Sequence, residues 1–387
     1  MKKKGLKKII LASGGTGGHL FPAEALAAIL LEKADYHTKL YTDKRQYPLS
    51  SDNIALGKLP HKVLLAAGVA GKSLWSKLFA FIYLGLGVMQ ALGYMVIERP
   101  HLVIGFGGYS SLPAMLAAKL LGIKTMLHEQ NAVLGRANRL CAMGASCLAL
   151  SFPKTKAVRY KHQAICHWVG NPVRPNFQNL LDRPYHLPEG NEKICLLVTG
   201  GSQGASIFST IMPKAIALLP QDIQSRLYLV QQARKDEVAT LKKHYKRMKI
   251  EARIEHFFTN MPELLANAHL VLARSGASTI AELTPAGRPA ILVPYPHAID
   301  NHQMRNSEHI AEAAGGWVIE QHDFTPQWLS KKLQELLAGD GRTLLLSAKA
   351  MQQLAKPNAA QDLADLVTQT IDDAPKQDKV TPNATST

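Results

Sequence analysis

The run Gly14-Gly15-Thr16-Gly17-Gly18-His19 follows an apolar stretch at 8–12 and leads into a helical pattern with Pro22 near its start. Glycines at such a turn let backbone N–H groups close on a phosphate or other anion, and a helix N-terminus favours negative charge there. The spacing is not the dinucleotide fingerprint. Counted from Gly15, its third glycine would fall on Leu20, which disfavours NAD. A second turn of the same kind is Gly105-Phe106-Gly107-Gly108-Tyr109-Ser110, and His128-Glu129-Gln130-Asn131 ends a third apolar run. In the second half, Gly200-Gly201-Ser202-Gln203-Gly204-Ala205 offers another anion-binding turn. Arg274-Ser275-Gly276-Ala277-Ser278-Thr279-Ile280-Ala281-Glu282 runs from a strand-like segment into a helix. Glu282 there could accept hydrogen bonds from ribose hydroxyls while the helix start holds phosphate. Pro294-Tyr295-Pro296-His297 and Asp300-Asn301-His302-Gln303 add polar loops. Capping or turn formation would explain any one of these residues alone; several loops converging argue for a site.

Two other chemistries are set aside. Gly71-Lys72-Ser73 resembles the end of a phosphate-binding P-loop, but the first glycine of that motif would have to be residue 66, which is Ala66. No Asp-x-Asp pair occurs, so a metal clamp for a nucleotide diphosphate has no evident ligands, and none is expected. Cys141, Cys147, Cys166 and Cys195 show neither CxxC pairing nor metal-ligand spacing, which suits a reducing compartment.

The elements that must position these loops alternate β-branched apolar runs with helical patterns, the pattern of an α/β fold with parallel sheets. Strands are expected at 8–12, 38–41, 102–105, 124–127, 147–150, 194–199, 227–231, 254–257, 270–273 and 290–293. In an open parallel sheet, ligands bind outside the carboxyl ends of the strands, where the glycine turns lie. The segments beginning at Lys8 and Lys193 are a weak internal repeat, each an apolar strand running into a glycine-rich turn. Two Rossmann-like units in tandem follow. Val169-Gly170-Asn171-Pro172-Val173-Arg174-Pro175 is rich in turn formers and is expected to join them. The domains are then 1–173 and 174–357, with a last helix at about 358–372 packing back on the first, and a polar, disordered tail at 373–387.

The 387 residues carry 45 Lys+Arg against 29 Asp+Glu. Residues 1–173 hold 22 of the basic and only 7 of the acidic side chains, so nearly all the excess lies in the first half. Such a surface attracts polyanions, either an anionic membrane or nucleic acid. With 6% aromatic residues and no RNA-recognition motif, nucleic acid is not expected as a partner. The lysine-rich start is followed by too short an apolar run for a signal peptide. Residues 78–97 contain no charge and reach the length of a membrane span. A crossing there would put the glycine loops on opposite sides, so a buried or surface-seated helix is expected, with Trp75, Leu78, Phe79, Phe81 and Ile82 beside Lys72 and Lys77 as an interfacial wedge.

Taken in order and spacing, the runs at 14–19, 107–109, 128–131, 170–174, 200–205, 274–282 and 300–303 resemble those of the bacterial peptidoglycan glycosyltransferases that form lipid II. The resemblance covers about residues 7–370. It implies an inverting GT-B enzyme of two Rossmann-like domains facing across a cleft, with no cofactor or bound catalytic metal. The donor would be UDP-N-acetylglucosamine, held mainly by the second domain. The acceptor would be lipid I, the undecaprenyl-pyrophosphoryl-MurNAc-pentapeptide, at the cytoplasmic face of the inner membrane, where the enzyme is peripheral. It further implies that Thr16, Gly17 and Gly18 touch the donor sugar or the acceptor pyrophosphate, that Asn131 reaches the sugar, and that Arg174 and Ser202 meet phosphates. Phe258, where the family often has an aliphatic residue, would meet uracil through its backbone. Ala277, Ser278, Thr279, Ile280, Ala281 and Glu282 would hold the diphosphate and ribose, and Gln303 the sugar hydroxyls.

For the catalytic base His19 is the first choice, because a neutral imidazole can accept a proton near pH 7. Glu129 is the second, or it orients His19 or His128. A nucleotide-sugar epimerase of related fold is the alternative enzyme.

Overall fold

The computed structural model describes residues 6–14, 17–44, 54–66, 74–201 and 204–373, without the side chains of 74–78. Two parallel sheets carry the chain. The first has β1 (Lys7–Ala12), β2 (Tyr36–Asp43), β3 (His61–Leu64), β4 (Leu102–Gly105), β5 (Lys124–Glu129), β6 (Cys147–Leu150) and β7 (Cys166–Trp168), in the order 3-2-1-4-5-6-7. The second has β8 (Ile194–Thr199), β9 (Leu227–Gln232), β10 (Glu251–Glu255), β11 (Leu270–Ala273), β12 (Ala290–Leu292) and β13 (Gly316–Val318), in the order 10-9-8-11-12-13. Both orders reverse beside the first strand of their sheet, between β1 and β4 and between β8 and β11. That reversal opens a crevice at the carboxyl ends of those strands.

The inner strands are uninterrupted apolar runs because helices cover both faces of each sheet. Every residue of β4, β6, β8 and β11 is buried. The edge strands differ. β10 lies three residues before its expected position: with one neighbour and one covered face, it tolerates Glu251, Arg253 and Glu255. Phe257, the last residue of the expected strand, falls beyond it. β7 and β13 are three-residue edges with no periodicity to read.

The helix Leu74–Glu98 connects β3 to β4, two strands of one sheet, so it does not cross a bilayer while that sheet is intact. Ala80, Ala91 and Met95 form its buried stripe, while Phe79, Phe81, Ile82, Leu86 and Met89 are exposed. Trp75, Lys77 and Leu78 lie in the turn without described side chains, and Lys72 outside the described residues. At the far end of the chain, the helix Ala359–Asp372 packs Leu363, Ala364 and Val367 into the core of the first sheet, with Leu26 and Leu30. Lys7 pins its end through Asp372 at 2.6 Å.

Candidate active site

The carboxyl ends of β1, β4 and β5 bring three loops of the first lobe together. Ser13 Oγ donates to His19 O at 3.0 Å, fixing the first turn of the helix Gly17–Glu32 on the end of β1. The loop after β4 lies flat against His19. Gly107 and Gly108 have φ of 88° and 73°, and a Cβ on either would crowd the imidazole, at 3.3 Å from Cε1 and 3.2 Å from Cδ2. Only glycine combines that backbone with that clearance. Ser110 Oγ in the same loop donates to Asp43 Oδ2 at 2.8 Å, tying it to β2.

The loop after β5 supplies the partner of His19. His19 Nδ1 lies 3.0 Å from Gln130 Oε1, leaving Nε2 without a hydrogen bond among the described residues. Gln130 Nε2 donates to Phe106 O at 2.9 Å and faces His128 Nδ1 at 3.0 Å. His128 is fully buried, and its Nε2 is 3.2 Å from Gly170 O. Burial pushes His128 down to about 4, with the neighbouring His19 adding to the effect against the bond to Gly170. It is neutral near pH 7.

That burial has a stability consequence. The unfolded chain protonates His128 below about 6.5 and the folded chain only near 4. Its contribution is therefore complete above pH 6.5 and declines as pH falls, by about 3 kcal/mol at pH 4. Urea unfolding of the wild type and of His128→Gln between pH 7 and 4 should show a steeper loss in the wild type; parallel curves would refute it.

Glu129 contacts neither histidine side chain. Its Oε1 accepts from Asn131 N at 3.0 Å and Asn131 Nδ2 at 3.2 Å, and its Oε2 from Gly135 N and Asn138 Nδ2, both at 2.8 Å. Four donors engage the carboxylate, which folds the 129–138 loop. The partner expected of Glu129 beside His19 is Gln130.

The second lobe faces these loops. The helix Ala277–Ala286 begins after Gly276 with no side-chain cap, so its first N–H groups are open to an anion. Glu282 stands on this helix with a fifth of its side chain exposed, 4.0 Å from Arg174. Burial pushes it up to about 7, Arg174 pulling the other way. The Arg174 guanidinium is held between the rings of Phe21 and Phe177, at 5.0 and 5.1 Å, and its Nε has no hydrogen-bond partner among the described residues. Ser275 Oγ donates to Gln303 O at 2.8 Å, and Gln303 Oε1 accepts from Tyr295 N at 2.9 Å, which turns the Gln303 NH₂ group outward as a donor. Asn306 joins the lobes: its Oδ1 accepts from Ala132 N at 2.8 Å and its Nδ2 donates to Asn131 Oδ1 at 3.1 Å. Asp300 receives Arg136 at 2.9 Å and also pairs with Arg139.

One cleft of about 600 Å³ is lined by Gly17, Gly18, His19, Asn131, Arg174, Phe258, Ala277, Ser278, Thr279, Glu282 and Gln303. A second hollow of about 270 Å³ adjoins it at His19 and is lined by Gly108, Glu129, Arg136 and Asp300. Of the other residues singled out from sequence, Ile280 is buried in the core and Ala281 faces the linker side of its helix. Thr16 and Ser202 lie outside the described residues. Sequence reading named the loops of Gln130 and His302 without giving either residue a role, and missed Phe21, Thr199, Gln232, Phe257 and Met261; all seven line the large cleft. Thr199 and Gln232 end adjacent strands and are joined by a 2.9 Å hydrogen bond, a polar floor that single strands do not reveal.

Residues 9–149 match the N-terminal domain, and residues 195–367 the C-terminal domain, of glycosyltransferase family 28. The chain is 45% identical, over 94% of its length and 92% of the relative's, to the UDP-N-acetylglucosamine–N-acetylmuramyl-(pentapeptide) pyrophosphoryl-undecaprenol N-acetylglucosamine transferase of Rhodospirillum rubrum. It is 42% identical to the enzyme of the same name from Brucella canis, over 92% of this chain and 93% of that one. The crystal structure of Acinetobacter baumannii MurG superposes with a TM-score of 0.75 at 26% identity, covering 94% of this chain and 99% of that one. The two facing Rossmann-like lobes are thus a GT-B fold, and the chain belongs to glycosyltransferase family 28, among the transferases that bear this name.

Proposed function

We propose that His19 is the general base of this chain's reaction. The chain is an inverting glycosyltransferase that moves N-acetylglucosamine from UDP-N-acetylglucosamine to the C4 hydroxyl of the muramyl sugar of lipid I, giving lipid II. The observation that carries the assignment is His19 on the wall of the cleft, its Nδ1 engaged by Gln130 and its Nε2 without a hydrogen bond among the described residues. The hydroxyl proton passes to Nε2 as O4 bonds to the anomeric carbon. The bond from that carbon to the diphosphate breaks, and UDP leaves with the electron pair.

The second lobe takes the donor. The N-terminus of the helix Ala277–Ala286 and the Arg174 guanidinium neutralise the diphosphate, and Ser202 is assigned to the same phosphates. Glu282 accepts from the ribose hydroxyls and Gln303 donates to the sugar. The backbone beside Phe258 reads the base, above the floor of Thr199 and Gln232. Ile280 and Ala281 support the helix from behind. The first lobe takes the acceptor, its pyrophosphate meeting the glycine turn of Thr16, Gly17 and Gly18. Asn131 meets the transferred sugar, and Glu129 holds the loop that carries it. The lobes divide at 173/174. Transfer of labelled sugar from UDP-N-acetylglucosamine to a lipid I analogue tests the reaction. Hydrolysis or isomerisation of the donor without acceptor would support the epimerase alternative.

We also infer that the first lobe rests on an anionic membrane as a peripheral protein, at the cytoplasmic face of the inner membrane. The exposed Phe79, Phe81, Ile82, Leu86 and Met89 supply an apolar face, and the basic excess of 1–173 supplies the attraction. Partial burial of two such side chains is worth roughly 1 kcal/mol each. Serine at both Phe79 and Ile82 should lower partitioning to vesicles containing anionic lipid roughly thirtyfold, with transfer to a water-soluble acceptor unchanged. Undiminished sedimentation with vesicles would refute the placement.

A further inference from the structure

We propose that Gln130 is a positioning residue that sets the tautomer of His19, holding the proton on Nδ1 so that Nε2 presents its lone pair to the acceptor hydroxyl. The inference rests on the reading of His19 as the base and goes one residue behind it.

The orientation of the Gln130 amide is forced by its surroundings. Its Nε2 faces Phe106 O at 2.9 Å and His128 O at 3.2 Å, both backbone carbonyls that can only accept. The third neighbour, His128 Nδ1 at 3.0 Å, is also an acceptor: His128 Nε2 has Gly170 O at 3.2 Å, which can only accept, and the Ser151 hydroxyl farther off at 3.4 Å, which can do either, so Nε2 carries that ring's hydrogen. Turning the amide over would set its oxygen against three acceptors in a buried site. The nitrogen therefore faces the protein, and Oε1 is left for His19. An amide oxygen only accepts, so His19 Nδ1 must donate across the 3.0 Å separation. The sequence of forced choices runs from Gly170 O through His128 and Gln130 to the imidazole in the cleft. Burial of His128, which keeps it neutral, keeps the sequence intact. Gln130 itself is 1% exposed, so water does not compete for its oxygen.

A carboxylate in this place would also hold the Nδ1 proton, but it would favour the imidazolium. The neutral amide fixes the tautomer without that added attraction. Removing it leaves nothing to choose between the two nitrogens, and the form with Nε2 protonated cannot serve as base.

The test reads the tautomer and the rate separately. The full chain, ¹⁵N-labelled at histidine, is examined by long-range ¹H–¹⁵N correlation at pH 8, with His19 assigned by the signals lost in His19→Gln. The wild type should show Nδ1 protonated and Nε2 bare; a protonated Nε2 overturns the proposal without any variant. Gln130→Met should bring in the Nε2-protonated form and lower kcat about 10- to 50-fold, with the donor KM within about twofold. If the methionine variant shows the wild-type His19 tautomer, the proposal falls. In the double variant His19→Ala/Gln130→Met, the loss should be no greater than in His19→Ala alone, because Gln130 acts through His19. Multiplied losses would mean an independent structural role. Should His19→Ala keep its turnover, the base reading fails, while the ¹⁵N spectrum still decides what Gln130 does to the ring.

Discussion

Replacing His19 with alanine is expected to lower kcat about 10²- to 10⁴-fold while the donor KM changes less than about threefold. The split follows from the two lobes. The helix Ala277–Ala286 and Gln303, proposed to bind the donor, belong to the other lobe and keep their own contacts when the imidazole is removed. A general base is needed only as the acceptor oxygen loses its proton, so in the proposed role the loss of the imidazole falls on the transition state. Among the described residues no neighbour is placed to substitute. Glu129 is held by four N–H donors, and His128 is fully buried with both ring nitrogens engaged. Single-turnover transfer to a lipid I analogue measures the effect. Turnover within about fivefold of wild type would remove His19 from the role, since general-base catalysis contributes at least about 10².

The inner strands could be read from sequence because of how they are buried. β4, β6, β8 and β11 are covered on both faces, so their apolar runs begin and end where the strands do. At the sheet edges that correspondence fails. β13 has one neighbour, and its Gly316 and Trp317 carry no alternation. At β10, polar residues form the strand, and the aromatic pair after it lines the cleft. The anion-binding turns were legible for a different reason: a glycine turn after a buried strand is a local signal, and the parallel sheet sends all such turns to one end.

What remained hidden depends on contacts distant in sequence. Gln130 lies 111 residues from His19, and its chemistry depends on Phe106, His128 and Gly170 all facing its nitrogen. Glu129 stood out as a carboxylate beside His128 in sequence, but strand alternation sends neighbouring side chains to opposite faces. It therefore turned toward its own loop. Arg174 was visible as a charge after a turn-rich linker, whereas its clamp is built from Phe21 of one lobe and Phe177 just beyond the linker.

Glu282→Gln should raise the KM for UDP-N-acetylglucosamine about 30- to 100-fold with kcat within about threefold, which corresponds to about 2–3 kcal/mol for charge-assisted hydrogen bonds to a ribose diol. The effect has a pH signature. Burial pushes Glu282 up to about 7, so in the free protein the acceptor form is lost as pH falls through that value. Donor KM should therefore fall between pH 6 and 8 in the wild type, and this limb should be absent in the glutamine variant. Stability runs the other way. The unfolded carboxyl ionises near 4.5 and the folded one near 7, so a contribution present below 4.5 is lost as pH rises through 7. By pH 8 the wild type carries a penalty of up to about 3 kcal/mol that an amide avoids. Denaturant unfolding at pH 8 should find Glu282→Gln more stable than the wild type, although it binds the donor more weakly. A variant that merely damaged the fold would lose both, so a stability decrease at pH 8 together with a flat or unchanged donor KM would remove Glu282 from the ribose.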